Sequence, residues 1–428
     1  MNIVSTGTAS GHRELLREKL SADYVEMLRP AGGALAHPFL TPGSRQYPDV
    51  LWDWDCWLSN VALRQILLDT GDAERRAEIE PYEKGCVLNF LEVARARPQP
   101  DGWVPILINR DGYPQVEDIY TQNMHKPCLA QHAAFLVREN GGDAEWLREY
   151  MYPLQCFVNN YQSHHRHSCG LYFWQDDCAI GVDNDPCTMG RPPRSSGSIY
   201  LNCLMYRELK ALAYILRQID QGEVAGLYER DAEHLRAAVQ EHCWDERDGF
   251  FYSVDLNLRA NEPGRWQLHA GQLRDWPCLI QRIGVWSGFL GLWSGIATPE
   301  QAERVAEHYR NPKTFGAPAG VRTLSRMEKM YNVKASGNPS SWLGPIWGVS
   351  NYLTFRGFVK YGLMEDARDL AAKTVSLFGR DLERFGALHE YYQPENGEPI
   401  LNRGFQNWNY LVLNMIAWLE NAACVEEF

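Results

Sequence analysis

The segment LWDWDCWLSNVALRQILLDTG (51–71) predicts a helix and sets the pattern for the rest of the chain. Its apolar residues recur on roughly one stripe, namely Leu51, Trp54, Leu58, Val61 and Leu68. Gly71 follows this run, and a glycine at that position commonly ends a helix. We therefore expect one amphipathic helix here.

Helical patterns recur along the whole chain. With 51–71 they make twelve segments, the others being 10–29, 79–96, 121–140, 144–163, 195–219, 225–242, 281–294, 299–310, 341–361, 364–382 and 404–422. Irregular loops rich in Gly, Pro and Asp separate them, at 30–50, 97–120, 165–194, 244–279, 311–340 and 383–403. The stretch GFFYSVDL (249–256) is typical of small hairpins.

The long loops tend to follow every second helix, as a helical-hairpin repeat requires. Six hairpins closing into a ring form an (α/α)6 barrel, with the loops building a pocket at one face. We therefore predict an all-α fold with one domain over 1–428. Two separate helical domains are the alternative, although no linker or boundary shows in the sequence.

The composition excludes several classes of protein. The 428 residues are 45% hydrophobic, which indicates a globular chain, and the net charge of −12 argues against nucleic acid and anionic membrane as partners. The start MNIVSTGTASGHRELL lacks a charged region followed by an apolar run, so no signal peptide is expected. Eleven scattered cysteines without a C-x-x-C pair favour reduced thiols in a cytoplasmic protein. The sequence leaves open whether the chain forms a homo-oligomer.

Neither a cofactor nor a metal is expected. The chain has no G-x-G-x-x-G after a strand, no P-loop and no G-x-S-x-G elbow. In HHRHSC (164–169), His164 and His167 could share a ligand, but no further acid or histidine is spaced to complete a set. Cationic residues are in any case favourable at a helix C-terminus.

Aromatic residues make up 12% of the chain, and part of that fraction suits a sugar site. The C–H face of a pyranose packs on aromatic rings, while its hydroxyls need carboxylates and amides. In PDVLWDWDCWLSN (48–60), three tryptophans interleave with Asp53 and Asp55. One aspartate at a helix start is explained by the helix dipole, but two among three tryptophans indicate sugar binding.

Three further clusters are candidates for chemistry. The segment 170–203 holds Asp176, Asp177, Asp183 and Asp185, which either face a pocket or form turns; composition alone favours turns. The segment 338–353 places Gly344-Pro345 between two tryptophans, as either a structural turn or an aromatic wall. In LHEYYQPENGEP (388–399), Glu390 lies among His and Tyr and suits a general base, whereas Glu395 and Glu398 belong to a solvated turn.

Taken in order, six motifs resemble the (α/α)6-barrel glycoside hydrolases of family 63 and their trehalase relatives of family 37. They are LWDWD (51–55), YTQNMHKP (120–127), GVDNDP (181–186), YLNCLMYRELKAL (200–212), WLGPIWGVSNYL (342–353) and HEYYQPENGEP (389–399). The compact length resembles the bacterial mannosylglycerate and glucosylglycerate hydrolases of family 63.

The resemblance implies roles for particular residues. Asp183 would be the general acid and Glu390 the general base of an inverting hydrolase, with a water between them. Trp54 and Asp55 would hold the sugar in the −1 subsite. Other residues predicted to bind substrate are Gln122, Trp342, Trp347, Trp174 and Gln406. Two departures affect substrate contacts: Trp342-Leu343-Gly344-Pro345 replaces the usual Trp-Arg-Gly-Pro, and SGSIYLN (196–202) replaces a commoner Val-Asp-Leu-Asn.

The expected substrate is a small α-glycoside, with glucosylglycerate or mannosylglycerate first. Its carboxylate would need partners, for which the candidates are Arg45, Tyr47, Arg191 and Arg194. The glycine-rich loop 30–48 is a candidate lid. The alternatives are an α-glucosidase on a neutral disaccharide such as kojibiose or trehalose, and a non-catalytic sugar-binding protein. An epimerase or lyase would want a histidine pair or a tyrosine base, and the matching loops show no strong histidine pair.

Overall fold

A computed structural model describes residues 6–43, 46–115, 118–258, 276–334 and 340–428, and this part of the chain is mostly helical. Its α-helices are α1 (Thr6–Asp23), α2 (Asp53–Thr70), α3 (Ala73–Ala96), α4 (Leu129–Glu139), α5 (Met151–His164), α6 (Ile199–Gln218), α7 (Gly222–His242), α8 (Leu290–Ser294), α9 (Pro299–Arg310), α10 (Gly348–Lys360), α11 (Met364–Phe385) and α12 (Val412–Leu419).

Each predicted helical segment overlaps one of these helices, but the five helices α4, α5, α8, α10 and α12 begin at least seven residues later than predicted. Helix α4 starts two residues after Pro127 and α10 starts three residues after Pro345. The residue before a proline is kept out of the helical region, so neither helix extends further back. Helices α5, α8 and α12 are preceded by 3₁₀ turns at Glu145–Tyr150, Trp286–Phe289 and Asn407–Leu411.

Short antiparallel strands connect the loops, so the fold is not purely helical. The paired strands are Leu28–Arg29 with Phe39–Leu40, Val50–Trp52 with Leu107–Asn109, Trp244–Asp245 with Phe250–Phe251, Gly316–Ala317 with Gly320–Val321, Ser196–Gly197 with Val254–Asp255 and Leu279–Ile280, and Ile346–Trp347 with Tyr391–Tyr392 and Pro399–Leu401. Strands therefore do occur within 249–256, although the two strands there pair with different partners.

The helices fall into two classes by burial. The even-numbered helices are buried on almost all sides, whereas odd-numbered ones such as α7 and α11 bury one face. In α2 the predicted stripe is buried except for Leu68, which is 47% exposed, and polar residues such as Asn60 and Gln65 are buried too. Helix α2 is therefore an interior helix rather than a surface one.

The even-numbered helices contact one another in chain order, α2 to α4, α4 to α6, α6 to α8, α8 to α10 and α10 to α12, and α12 contacts α2. Helices α1, α3, α5, α7 and α11 each pack on at least one of them. One large cluster of buried apolar residues runs from Leu16 to Val425 through all of these contacts. No helix among the described residues is both long and apolar enough to span a membrane.

Candidate active site

A cavity of about 490 Å³ opens among the segments that precede five of the even-numbered helices. It is lined by Gln46, Tyr47, Trp52, Trp54, Asp55, Ile119, Tyr120, Lys126, Asp177, Cys178, Ala179, Gly181, Asp183, Ser340, Trp347, Glu390, Phe405 and Trp408. Five of the six loops predicted from the sequence contribute to this wall. The cavity therefore gathers residues that are up to about 360 positions apart in the sequence.

Glu390 reaches the cavity from the residue just before strand Tyr391–Tyr392, and its backbone N–H donates to the Leu401 carbonyl at 3.1 Å. Asn402 donates to its Oε2 at 3.1 Å, and the Tyr47 hydroxyl lies 3.5 Å from its Oε1. Burial raises the pKa of Glu390 to about 7, with the charge of Asp183 adding to the rise and the two hydrogen bonds opposing it. Glu390 can therefore exchange a proton near neutral pH.

Asp183 projects into the cavity between two buried neighbours, Val182 and Asn184. Its side chain is open to the cavity, but the protein around it still raises its pKa through desolvation, against the hydrogen bond with Ser340 and the charge of Lys126. Gly181 has φ of +89°, and a Cβ there would lie 2.6 Å from the Lys126 side chain. Position 181 in the G-x-D motif therefore requires glycine, because a side chain there would clash with Lys126 and disfavour this backbone conformation.

Asp55 and Asp53 lie at the start of α2 and have opposite environments. Asp55 lines the cavity and accepts a hydrogen bond from Asn407; burial raises its pKa to about 8, and the charges of Asp53 and Glu390 contribute. Asp53 is buried in the wall, where both of its oxygens lie 2.8–2.9 Å from Lys126 Nζ. Burial alone would raise the pKa of Asp53, but the Lys126 charge and hydrogen bonds lower it.

An aromatic stack forms one wall. The Trp347 ring lines the cavity and stacks on Tyr391, with ring centres 4.8 Å apart and planes at 18°. Trp342 stacks behind Trp347 at 4.2 Å and 9°, and it is 1% exposed. The segment 338–353 therefore supplies an aromatic wall, in which Trp347 faces the cavity and Trp342 supports it rather than lining it.

Several residues predicted to bind substrate do not line the cavity. Gln122 is exposed, and Trp174 is buried with its ring 5.9 Å from that of Tyr200. Gln406 is also buried, where its amide donates to Glu26 at 3.1 Å. These side chains take part in packing or lie at the surface, and Lys126 is the member of YTQNMHKP that reaches the cavity.

The predicted cationic partners of a substrate carboxylate are not assembled at the cavity either. Arg191 pairs with Asp255 at 2.6 Å, and Arg194 donates to Gln175 at 2.6 Å. Neither guanidinium lines the cavity, because each is held by a neighbouring loop. Arg45 lies outside the described residues, and Tyr47 lines the cavity with its hydroxyl directed at Glu390.

One cluster among the described residues has metal-ligand spacing, formed by Asp176, Asp177 and Cys178. The Asp177 N–H donates to Asp176 and the Gly190 N–H donates to Asp177, at 2.8 and 2.9 Å. These contacts are those of ordinary turns, in which aspartates accept from nearby backbone groups.

The sequence did not predict a site role for four residues that line the cavity, namely Lys126, Trp408, Phe405 and Tyr120. It also did not predict the hydrogen bond that Asn402 donates to the Glu390 carboxylate. Lys126 belongs to the motif YTQNMHKP, and its position between a histidine and a proline there is the signal that could have indicated it. Trp408 lies 5.0 Å from the Trp54 ring, which only the contact of α12 with α2 brings about.

The cavity thus contains two carboxyl groups, Asp183 and Glu390, together with the aromatic wall and a further buried carboxyl, Asp55. Like charges in one enclosed site oppose joint ionisation, so a state with one protonated and one ionised carboxyl is favoured near neutral pH. This arrangement can supply a general acid and a general base to one bound molecule.

The family model of the mannosylglycerate hydrolase MGH1-like glycoside hydrolase domain matches residues 47–409. Mannosylglycerate hydrolase of Thermus thermophilus is 28% identical over 211 residues, covering 47% of this chain and 40% of that protein. Cytosolic neutral trehalase of Kluyveromyces lactis is 24% identical over 213 residues, covering 47% of this chain and 25% of that protein. The alignments thus span less than half the length of these relatives.

Solved structures show the same fold. The family 63 mannosylglycerate hydrolase from a second strain of Thermus thermophilus, in complex with glucose, gives a TM-score of 0.68 at 18% identity, covering 92% of this chain and 99% of that one. Neutral trehalase Nth1 of Saccharomyces cerevisiae gives 0.60 at 16% identity, covering 88% of this chain and 73% of that one. At these identities the likeness concerns the fold alone.

Proposed function

The chain belongs to the mannosylglycerate hydrolase MGH1-like glycoside hydrolase domain family, and from that premise we propose that it hydrolyses a small α-glycoside with inversion at the anomeric carbon. The observation that carries this proposal is the pair Asp183 and Glu390, two carboxyl groups with raised pKa values in one cavity. Inverting glycosidases need such a pair about 6.5–9.5 Å apart, with room for a water.

We also infer that residues 1–428 form one catalytic domain with an (α/α)6 barrel. The support is the circular order of contacts among α2, α4, α6, α8, α10 and α12, together with their burial on almost all sides. The cavity at the starts of these helices is where the loops of such a barrel would meet. The eleven unpaired cysteines suit a reducing compartment, and the cytoplasm is the proposed location.

Glu390 is proposed as the general base. Asn402 donates to its carboxylate and Tyr47 lies within reach of it, so two donors favour the ionised form. The ionised Glu390 removes a proton from a water molecule while the oxygen of that water attacks the anomeric carbon. Burial keeps this carboxylate basic enough to accept the proton.

Asp183 is proposed as the general acid. Desolvation raises the pKa of Asp183 and so favours its protonated form. The protonated Asp183 donates to the glycosidic oxygen as the bond to the anomeric carbon breaks. Lys126 opposes this protonation, but its ammonium group is shared with Asp53 at 2.8–2.9 Å.

Asp55, Trp54 and Trp347 are proposed to hold the sugar ring. With a pKa of about 8, Asp55 carries a proton at neutral pH and can both donate and accept hydrogen bonds with sugar hydroxyls. The Trp54 indole offers an apolar surface for the C–H face of the ring, and Trp347, which is stacked between Trp342 and Tyr391, meets the sugar with its ring edge. Contacts to hydroxyls next to the anomeric carbon would strengthen as positive charge develops there.

Two substrate classes have support. Relatives named mannosylglycerate hydrolase support glucosylglycerate or mannosylglycerate, and relatives named trehalase support a neutral disaccharide such as trehalose or kojibiose. Both classes require the same acid and base, so the choice between them depends on the part of the cavity that holds the leaving group.

Release of free sugar from these four glycosides tests the proposal, using the native chain, Asp183→Asn and Glu390→Gln. We expect the native chain to hydrolyse at least one of them and both variants to lose about 10²- to 10⁴-fold in kcat. Glu398→Gln is the matched control, because Glu398 belongs to the same loop but is half-buried and paired with Arg384. Binding without turnover by the native chain would instead indicate a non-catalytic sugar-binding protein.

A further inference from the structure

Glu390, the proposed general base, lies in the segment that connects α11 to the 3₁₀ turn Asn407–Leu411. The two donors at its carboxylate, Asn402 and Tyr47, belong to loops as well. A catalytic group has to be held to within about 0.5 Å of its productive position, and helices hold side chains more precisely than loops do. The position of Glu390 therefore depends on what ties its segment to a helix.

Asp381, near the end of α11, ties this segment to the helix through two residues. It accepts the backbone N–H of His389 at 3.0 Å, and His389 Nδ1 lies 3.0 Å from both of its oxygens. It also accepts the Tyr392 hydroxyl at 2.7 Å. One carboxylate thus binds the residue before Glu390 and the residue two positions after it.

The carbonyl of His389 is held from the opposite direction. Asn409 donates its side-chain N–H to this carbonyl at 2.7 Å. A Cβ on Gly348 would lie 2.3 Å from Asn409 Oδ1, so the Asn409 amide is tightly packed. Because peptide groups are planar, fixing the N–H and the carbonyl of His389 sets the direction in which the chain enters Glu390.

Tyr392 connects the same carboxylate to the aromatic wall. The strand Tyr391–Tyr392 pairs with Ile346–Trp347, and the Tyr391 ring stacks on that of Trp347. By holding Tyr392, Asp381 keeps this strand in place beside Glu390.

Asp381 is buried but does not line the cavity, so it acts on the site through its neighbours. A buried carboxylate destabilises the fold unless its hydrogen bonds are made. Those of Asp381 within the described chain all come from the segment of the base. Asp366, the other buried acid of α11, instead accepts from Arg310 at 2.6 and 2.9 Å.

We propose that Asp381 is a positioning residue for the general base, holding the segment 389–392 so that the Glu390 carboxylate points into the cavity. This inference rests on the proposed function and extends its machinery to a residue that a bound substrate does not touch. Loss of the carboxylate lets the segment shift, and a displacement of about 1 Å in a catalytic group can lower turnover by roughly 10²-fold.

The test begins with Asp381→Ala, which removes these contacts. On an α-glycoside that the native chain hydrolyses, we expect kcat to fall by about 10- to 100-fold with KM within about threefold, because Trp54 and Asp55 on α2 still bind the sugar. Asp381→Asn keeps one acceptor oxygen for the His389 N–H, so its kcat should fall by only about 3- to 10-fold. This second variant decides the question if Asp381→Ala does not fold.

Asp366→Ala is the matched control. It removes a buried carboxyl from the same helix, but the partner it leaves is Arg310 at the end of α9. Urea unfolding should show a loss of stability in both variants, whereas kcat of Asp366→Ala should stay within about twofold of the native value.

An α-glycosyl fluoride of the same sugar separates the base from the acid. Fluoride ion leaves without a proton from a general acid, whereas the attacking water still passes its proton to Glu390. With the fluoride, Asp183→Asn should therefore regain most of its lost rate. Asp381→Ala and Glu390→Gln should lose as much with the fluoride as with the glycoside.

Native kcat in folded Asp381→Ala, or in Asp381→Asn where Asp381→Ala does not fold, overturns the proposal. A loss confined to KM, a loss no larger than that of Asp366→Ala, or recovery of the rate with the fluoride overturns it too. Absence of turnover by the native chain on every α-glycoside would contradict the proposed function itself, and the positioning role with it.

Discussion

Glu390 in the cavity and Glu427 near the C-terminus are equally buried, each with 5% of its surface exposed, yet their pKa values shift in opposite directions. Burial raises the pKa of Glu390 to about 7. Glu427 feels a similar desolvation, but the charges of Arg356 and Arg207 outweigh it and lower the pKa to about 2. Arg356 Nε donates to Glu427 at 3.0 Å, and Tyr352 and Trp293 donate at 2.8 and 3.0 Å.

The difference shows that depth of burial does not by itself distinguish a reactive carboxyl from a structural one. Glu427 has cationic partners from α6 and α10, and these tie the C-terminal segment to the interior helices. Glu390 has only neutral donors and another acid nearby. A carboxyl held without a cation keeps a pKa near neutrality, which acid–base catalysis requires.

The largest expected effect separates the two glutamates by activity. Glu390→Gln should lower kcat by about 10²- to 10⁴-fold while leaving the protein at pH 8 at least as stable as the native chain, because a costly buried charge is removed. Glu427→Gln should change kcat by less than about threefold, since its contacts lie outside the cavity. Steady-state kinetics and urea unfolding of both variants measure this. A full loss of activity in folded Glu427→Gln would break the contrast.

The next effect concerns stability. Glu427→Gln leaves Arg207 buried without a counter-charge and leaves Arg356 with only the half-exposed Glu426, which should cost about 3–5 kcal/mol of unfolding free energy. The neighbouring Glu426→Gln is the matched control, because the Glu426 side chain is half exposed and its pair with Arg356 should contribute about 0–1 kcal/mol. Equal unfolding midpoints for the two variants in urea would show that the Glu427 cluster is not a structural anchor.

Stability should also depend on pH with opposite signs at the two sites. The folded pKa values of Glu390 and Asp55, about 7 and 8, lie above those of the unfolded chain, so their contribution is present below about pH 4 and is lost as the pH rises through 7 and 8. The folded pKa of Glu427, about 2, lies below its unfolded value, so its contribution is present above about pH 4.5 and is lost as the pH falls towards 2.

Thermal unfolding of Glu390→Gln and Glu427→Gln between pH 4 and pH 8 measures this opposition. Relative to the native chain, Glu390→Gln should gain stability as the pH rises, and the penalty of Glu427→Gln should shrink as the pH falls. Parallel pH profiles for the two variants would mean that the cavity carboxyl is not held in its protonated form by burial.

The smallest effect is expected at Arg191. Its pair with Asp255 lies outside the cavity and is partly exposed, so Arg191→Ala should cost about 0–1 kcal/mol of stability and change kcat/KM by less than about twofold for neutral and anionic glycosides alike. Kinetics on glucosylglycerol and glucosylglycerate check this. A fall in kcat/KM for the anionic glycoside alone would indicate that Arg191 does bind the substrate carboxylate.

Much of the site could be predicted because its residues belong to short motifs with distinctive spacing. Asp183, Glu390, Asp55 and Trp54 do line one cavity, as does Trp347. What could not be predicted depends on contacts between distant segments. Arg191 forms its ion pair with Asp255 near the place where the strands Ser196–Gly197 and Val254–Asp255 pair. No local sequence pattern indicates that pairing.

The positions of Gln122 and Lys126 relative to the cavity could not be predicted for a different reason. Both occur in YTQNMHKP, an irregular stretch between a 3₁₀ turn and α4, where no helical or strand periodicity indicates which side chain points inward. The late starts of α8 and α12 have a similar cause, since their apolar residues continue back through 3₁₀ turns that periodicity does not separate from α-helix.

The most direct test of the central claim is the anomer first released. A proton NMR time course on an α-glycoside that the chain hydrolyses, read before mutarotation, distinguishes the two outcomes. Attack by a water that Glu390 activates, on the face opposite to Asp183, predicts the β-anomer as the first product. Initial release of the α-anomer would contradict the inverting pair of Asp183 and Glu390.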